Sequence, residues 1–93
     1  MSDAATNDPS AHDPSALALR ALAATIANER LADRFLSLSG IEVPELRQRA
    51  ADPCVLAALL RFLEAHEPDL VAIAEVIGVK PEALVAARRG LER

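Results

Sequence analysis

The sequence predicts an all-α fold, a compact bundle of five to six short helices ending in a corner like a helix-turn-helix. Three observations predict it. Five of the six prolines, Pro14, Pro44, Pro53, Pro68 and Pro81, stand where helical apolar spacing begins, and Gly40, Gly78 and Gly90 stand where it stops. Proline is pre-shaped for a first helical turn and glycine accepts the left-handed residue that closes a helix, so this punctuation cuts the chain into short rods. Alanine supplies 20 of the 93 residues and leucine 14, whereas Trp and Tyr are absent and only Phe35 and Phe62 are aromatic. Small and straight-chain side chains favour helices that approach closely and give strands little to pack with.

Met1 to His12 is polar and aperiodic and cannot bury enough to offset its ordering entropy, so residues 1–13 read as a disordered arm and residues 14–93 as one helical domain. Asp13 caps the first helix, with Pro14 in its first turn and Leu19, Leu22, Ala23 and Ile26 as the inward stripe. Asn28 caps the second, whose Leu31, Phe35 and Leu38 recur at helical spacing until Gly40. A shorter helix near Pro44 turns Leu46 and Ala50 inward. Asp52-Pro53 opens the fourth, where Val55, Leu56, Leu59, Leu60, Phe62 and Leu63 make a stripe so wide that two neighbours must cover it.

Pro68 holds Glu67 extended and starts the fifth helix, which from Leu70 to Ile77 carries only Glu75 as a charged group. A helix apolar nearly all round is buried or forms an interface, so the fourth and fifth helices are expected to form the core. Pro81 starts the sixth, with Leu84, Val85 and Ala87 as its apolar positions and Arg88, Arg89 and Arg93 crowding an end where cations complement the helix dipole. Leu38 to Leu46 and Val76 to Leu84 echo one another: helix, glycine stop, apolar plug, then Pro-Glu and a leucine pointing back. One such pair is below the three units that mark a repeat protein, and the two stand as similar corners.

The second corner carries a sharper reading. Ile73, Ala74, Ile77, Gly78, Val79, Leu84 and Ala87 match the small and apolar positions of a helix-turn-helix. DNA binding would also need base-reading and phosphate-gripping groups outside, and Lys80, Arg88, Arg89 and Arg93 are few beside the roughly six to ten phosphate contacts of typical binders. The net charge of −4 is also concentrated at the start. From residue 14 on, 11 acids face 10 bases, which offers no broad attraction to nucleic acid or anionic lipid.

Catalytic constellations are thin, and no catalytic, metal-ligating or cofactor-binding residue is assigned. Cys54, the single cysteine, fits a reducing compartment and reads as a buried structural thiol. His66 with Glu64, Glu67 and Asp69 has the ingredients of a metal site but lacks a second His or Cys, and reads as a solvated helix junction. His12-Asp13 with Ser10 and Ser15 lies where a flexible arm cannot hold a nucleophile in place. The glycines are too far apart for a phosphate loop. No apolar run spans a membrane and no signal peptide opens the chain, which predicts a cytoplasmic protein.

Arg34-Phe35-Leu36, Leu38-Ser39-Gly40, Leu46-Arg47, Asp52-Pro53 with Val55-Leu56 and Phe62-Leu63, Glu67, and Gly78-Val79-Lys80-Pro81-Glu82 with Ala87-Arg88 stand in the order and spacing of a known family. From about Leu17 to Leu91 the chain resembles a group of short alphaproteobacterial helical proteins classed as a domain of unknown function. Asn28-Glu29 stands where members often have Asp-Pro, which changes the cap and not the fold. The resemblance implies no activity, cofactor or catalytic residue.

The function expected from the sequence is a non-enzymatic interaction module, a homodimer or an adaptor for another protein. Its motive is 52% hydrophobic content in so short a chain. The docking surface is expected on the fifth helix or on the Val85 side of the sixth, with Arg88 and Arg89 beside it. The competing expectation is a DNA-binding regulator that grips phosphates through Lys80, Arg88, Arg89 and Arg93 of the 69–90 helix pair.

Overall fold

A computed structural model describes residues 13–93; of the arm read over residues 1–13, residues 1–12, with His12 and Ser10, lie outside them. The described chain is six helices without a strand: α1 (Pro14–Ala27), α2 (Glu29–Ser39), α3 (Val43–Gln48), α4 (Pro53–Glu64), α5 (Glu67–Ile77) and α6 (Pro81–Leu91).

Local chemistry sets most of the boundaries. Asp13, Asn28 and Asp52 are extended, and each side chain accepts a hydrogen bond from an amide of the helix it precedes: Ser15 N at 2.9 Å, Leu31 N at 3.1 Å and Cys54 N at 2.8 Å. Asn28 also ends α1, since its own N–H donates to the Thr25 carbonyl. Gly40 and Gly78 close α2 and α5 at φ 74° and 76°, where a Cβ would be strained. After α5 the Gly78 N–H reaches the Glu75 carbonyl and the Val79 N–H the Ala74 carbonyl, the paired bonds of a Schellman close. Val43 and Glu67 are helical although each precedes a proline, so α3 and α5 begin one residue earlier than proline chemistry suggests.

α1, α4 and α6 pack on one another, α5 lies across α1 and α4, and α2 leans on α1. Leu59, Leu60 and Leu63 of α4 are wholly buried, as the sequence predicts, and so are Ala18 and Ala21 of α1 and Leu84 of α6. Phe35 and Phe62 meet with ring centroids 5.4 Å apart and planes 60° apart, joining α2 to α4.

Four expectations need correction. α1 buries only Leu22 of its expected Leu19, Leu22, Ala23 and Ile26 stripe: Leu17, Ala18, Ala21 and Thr25 join it at the core, and Leu19 and Ile26 are 42% and 38% exposed. α1 is apolar on both faces, so periodicity alone could not choose between them. Leu38 is 74% exposed at the end of α2. α5, expected to form the core together with α4, does so only in part: Asp69, Leu70, Ile73 and Ala74 are buried while Val71 and Val76 are exposed. The partner of α4 at the centre is the α1–α6 pair.

Gly90 is the fourth. It does not stop α6 but sits inside it, and a Cβ built there would come 2.7 Å from Cγ of Pro14. The missing side chain lets the end of α6 seat the first turn of α1. Gly90→Ala would gain about 0.5–1 kcal/mol of helix propensity, but crowding of this kind costs about 1–3 kcal/mol, so a net loss of stability is expected. Pro14→Ala should relieve it: a thermal melt of the double variant is expected to show less destabilisation than the sum of the single changes.

Candidate functional site

The residues singled out at the C-terminal corner are not equally available. Lys80 is exposed at the start of α6, and Arg89 and Arg93 are exposed at its end. Val85 is half-buried and packs against the core. Arg88 is held by its own chain: Nε donates to Glu64 Oε2 of α4 and Nη1 to Glu92 Oε1 at 2.8 Å, and its side chain is only 18% exposed. Glu92 also accepts from Arg61 Nε, and that hydrogen bond, set against partial desolvation and helped by Arg88, holds its carboxyl below the ordinary glutamate range. Arg61, Glu92, Arg88 and Glu64 thus form a clasp between α4 and α6.

The corner between α5 and α6 buries four of the seven positions read as a helix-turn-helix. Ile73, Ala74, Leu84 and Ala87 are buried, Gly78 makes the turn, and Val79 packs beneath it. Arg20 of α1 donates to the Ile77 carbonyl, covering the end of α5.

A second cluster was missed by sequence reasoning. The Asp69 side chain is 4% exposed, and its Oδ2 accepts from Arg34 Nη1 at 2.9 Å and from His66 Nδ1 at 2.9 Å, with Arg30 Nη2 3.7 Å from Oδ1. The junction expected to be solvated is therefore organised around a buried carboxylate. The signal was in the spacing: Asp69 stands four before Ile73 on the buried stripe of α5, and Arg30 and Arg34 stand four apart on α2. Burial would raise the Asp69 carboxyl, but hydrogen bonds from His66 and Arg34 outweigh it and hold the group below the usual aspartate range. Arg34 also lies 5.4 Å over the Phe62 ring, which fixes it between the two elements.

Cys54 is a further correction. It is exposed, in the first turn of α4, beside a shallow hollow of about 620 Å³ lined by Pro53, Ala57, Ala58, Arg61, Leu91 and Glu92. The first turn of α4 projects beyond the neighbours that cover its later turns. Among the described residues no three of His, Cys, Asp and Glu converge as metal ligands, and no helix is long and apolar enough to cross a membrane.

An apolar concavity with few polar groups lies between α1, α2 and α3. This open groove of about 480 Å³ has Leu22, Leu36 and Leu46 along its floor and the exposed Leu19, Ile26 and Val43 (44%) at its lips. Its lining carries one acid, Asp33, and one base, Arg47. Neither forms an ion pair or a side-chain hydrogen bond with another described residue. The Leu19, Leu22, Ala23 and Ile26 row that the sequence assigns to the core is this groove's α1 wall.

A family model matches the chain across the whole of this helical region. The chain belongs to the family described as "Protein of unknown function (DUF3572)". The DUF3572 match covers residues 11–93, which includes every helix described above. No curated protein and no solved structure matches the chain.

The Asp69 cluster makes the chain's stability depend on acid. A carboxyl whose folded pKa is depressed contributes stability above its ordinary value near 3.9 and loses it as pH falls through the folded value. Asp69→Asn is expected to lower stability at pH 7 by about 1–3 kcal/mol and to flatten the fall below about pH 4, as read by urea melts from pH 7 to pH 2. An acid limb of unchanged slope would contradict the assignment.

Proposed function

We propose that this DUF3572 member is a non-enzymatic interaction module that docks through the α1–α2–α3 groove. One observation carries the reading. α1 buries one apolar face in the core, and its other face presents Leu19, Ala23 and Ile26 at i, i+4 and i+7 to solvent. A helix apolar on both sides is expected to be covered on both, and here its own chain covers one.

The charge distribution supports a protein partner over a polyanion, since acids and bases nearly balance from residue 14 onward. The groove offers no nucleophile beside a proton acceptor; its only charged groups are Asp33 and Arg47. Affinity capture from the native cell with the intact protein and with Ile26→Lys checks the reading. The variant changes an exposed position near a helix C-terminus and is expected to melt within about 1 kcal/mol of the parent. Partners held by the parent should be lost by the variant; identical partners on both would overturn the proposal.

A second reading, DNA binding through α5 and α6, is favoured by the buried Ile73, Ala74, Leu84 and Ala87 wedge and the Gly78 turn. It has less charge to work with than the sequence suggests, because Arg88 is clasped by Glu64 and Glu92 and leaves Lys80, Arg89 and Arg93. Fluorescence anisotropy with a labelled duplex of about 20 base pairs at about 50 mM salt tests it: this reading needs binding that falls steeply with added salt, and a flat titration removes it.

A further inference from the structure

We propose that the occupant of the groove is a second copy of this chain, set with its α1 antiparallel to the first about a two-fold axis near Ala23. This rests on the docking reading above and names the partner that fits it. A two-fold interface uses the same patch twice, so the patch must carry both a ridge and the hollow that receives it. This face carries both: Leu19 and Ile26 stand out from α1, and beside them Leu22, Leu36 and Leu46 floor the hollow.

The spacing along α1 suits that symmetry. Ala23 follows Leu19 by four residues and precedes Ile26 by three, so an axis near Ala23 sets Leu19 against the partner's Ile26 on one side and Ile26 against the partner's Leu19 on the other. The alanine at the crossing leaves room for the two helices to approach, and Leu19 and Ile26 fill the space on either side of it.

Charge suits it as well. The groove holds one carboxylate, Asp33, and one guanidinium, Arg47, and neither is answered by a described residue of its own chain. A lone polyanionic or polycationic partner would satisfy one and be repelled by the other. A second copy brings both signs, so that Asp33 meets the partner's Arg47 and Arg47 the partner's Asp33. Leu38 and Val76, the most exposed large apolar side chains, lie outside this groove.

The contact is small. Eleven residues line the groove, about half of the roughly 20–30 that each side of a standard interface supplies, which points to a weak, concentration-dependent dimer. The proposed docking surface is the outer face of α1, whereas the sequence favours helix five or the Val85 side of helix six.

Sedimentation equilibrium of the intact protein from about 1 μM to 1 mM tests the proposal. A monomer–dimer equilibrium is expected in this range. Asp33→Arg and Arg47→Asp should each raise the dissociation constant at least about tenfold by setting like charges together, and the double exchange should bring it back to within about threefold of the parent. That recovery is a signature that a merely local effect on folding would not produce. Ala23→Glu, at an exposed position, should leave a folded monomer by circular dichroism. A parent monomeric at 1 mM, or a dimer indifferent to Ala23→Glu and to both charge changes, overturns the proposal. If the monomeric parent still captures a partner that Ile26→Lys loses, self-association falls and the docking reading stands. If a dimer forms and ignores both Ala23→Glu and Ile26→Lys, and capture is likewise unchanged, both fall.

Discussion

Ala18 and Ala21 lie on the buried face of α1 with no surface left exposed, and their size is what lets that helix lie close across α4 and α6. At the far end of the same contact Gly90 has no side chain at all, and Pro14 occupies the space a Cβ would take. The remaining elements are arranged around this approach. Bulkier residues along the seam would push α1 outward and uncover Leu59, Leu60 and Leu63, whose burial is worth about 1.5–3 kcal/mol each. Close-packed interiors respond to such a change with strain and not with smooth expansion.

Ion pairs act on this frame differently. Those at the surface, such as Arg49 with Glu45 and Asp52, contribute about 0–1 kcal/mol, less than one buried leucine. Their effect is to fix which element meets which. Asp52 caps α4 and also holds Arg49 from the preceding turn, so one carboxylate joins the end of the α3 segment to the start of the next helix; the Cys54 amide and then Arg49 keep it below its ordinary range. Asp69 draws α2 onto α5 in the same way, and the Arg61–Glu92–Arg88–Glu64 clasp sets the rotation of α6 on α4. Burial supplies the stability, and the charges select among the ways six short rods could be buried.

That division explains what was legible in the sequence. Helix ends depend on residues within a turn of one another, so Asp13, Asn28, Asp52, Gly40 and Gly78 could be read directly, and the family resemblance rested on many of the same landmarks. Which way a helix faces depends on the whole assembly. α4 has one wide stripe and was phased correctly, but α1 has two apolar faces and only Arg20 for charge, so no one-dimensional pattern could choose. Gly90 failed for a related reason: a glycine that ends a helix and a glycine that admits a neighbour look alike until the neighbour is known. The candidate groove was invisible because three separate helices line it, and its α1 wall had been counted as core.

The groove follows from a mismatch of lengths. With a rise of about 1.5 Å per residue, the 14 residues of α1 extend about 21 Å, whereas the six of α3 extend about 9 Å. α3 is therefore too short to run along the outer face of α1, and α2, anchored at Phe35 and Arg34 toward α4 and α5, covers one flank. The inner face is filled by α4, α5 and α6 and cannot take up the excess. An apolar stripe on α1 is thus left over by the number of residues available, in a fold whose buried side chains are otherwise well covered. Loose packing would leave gaps around Leu59 or Leu84, and both have no exposed surface. The uncovered stripe is a property of how the chain is apportioned among its helices, and it is the surface that the proposed docking would cover.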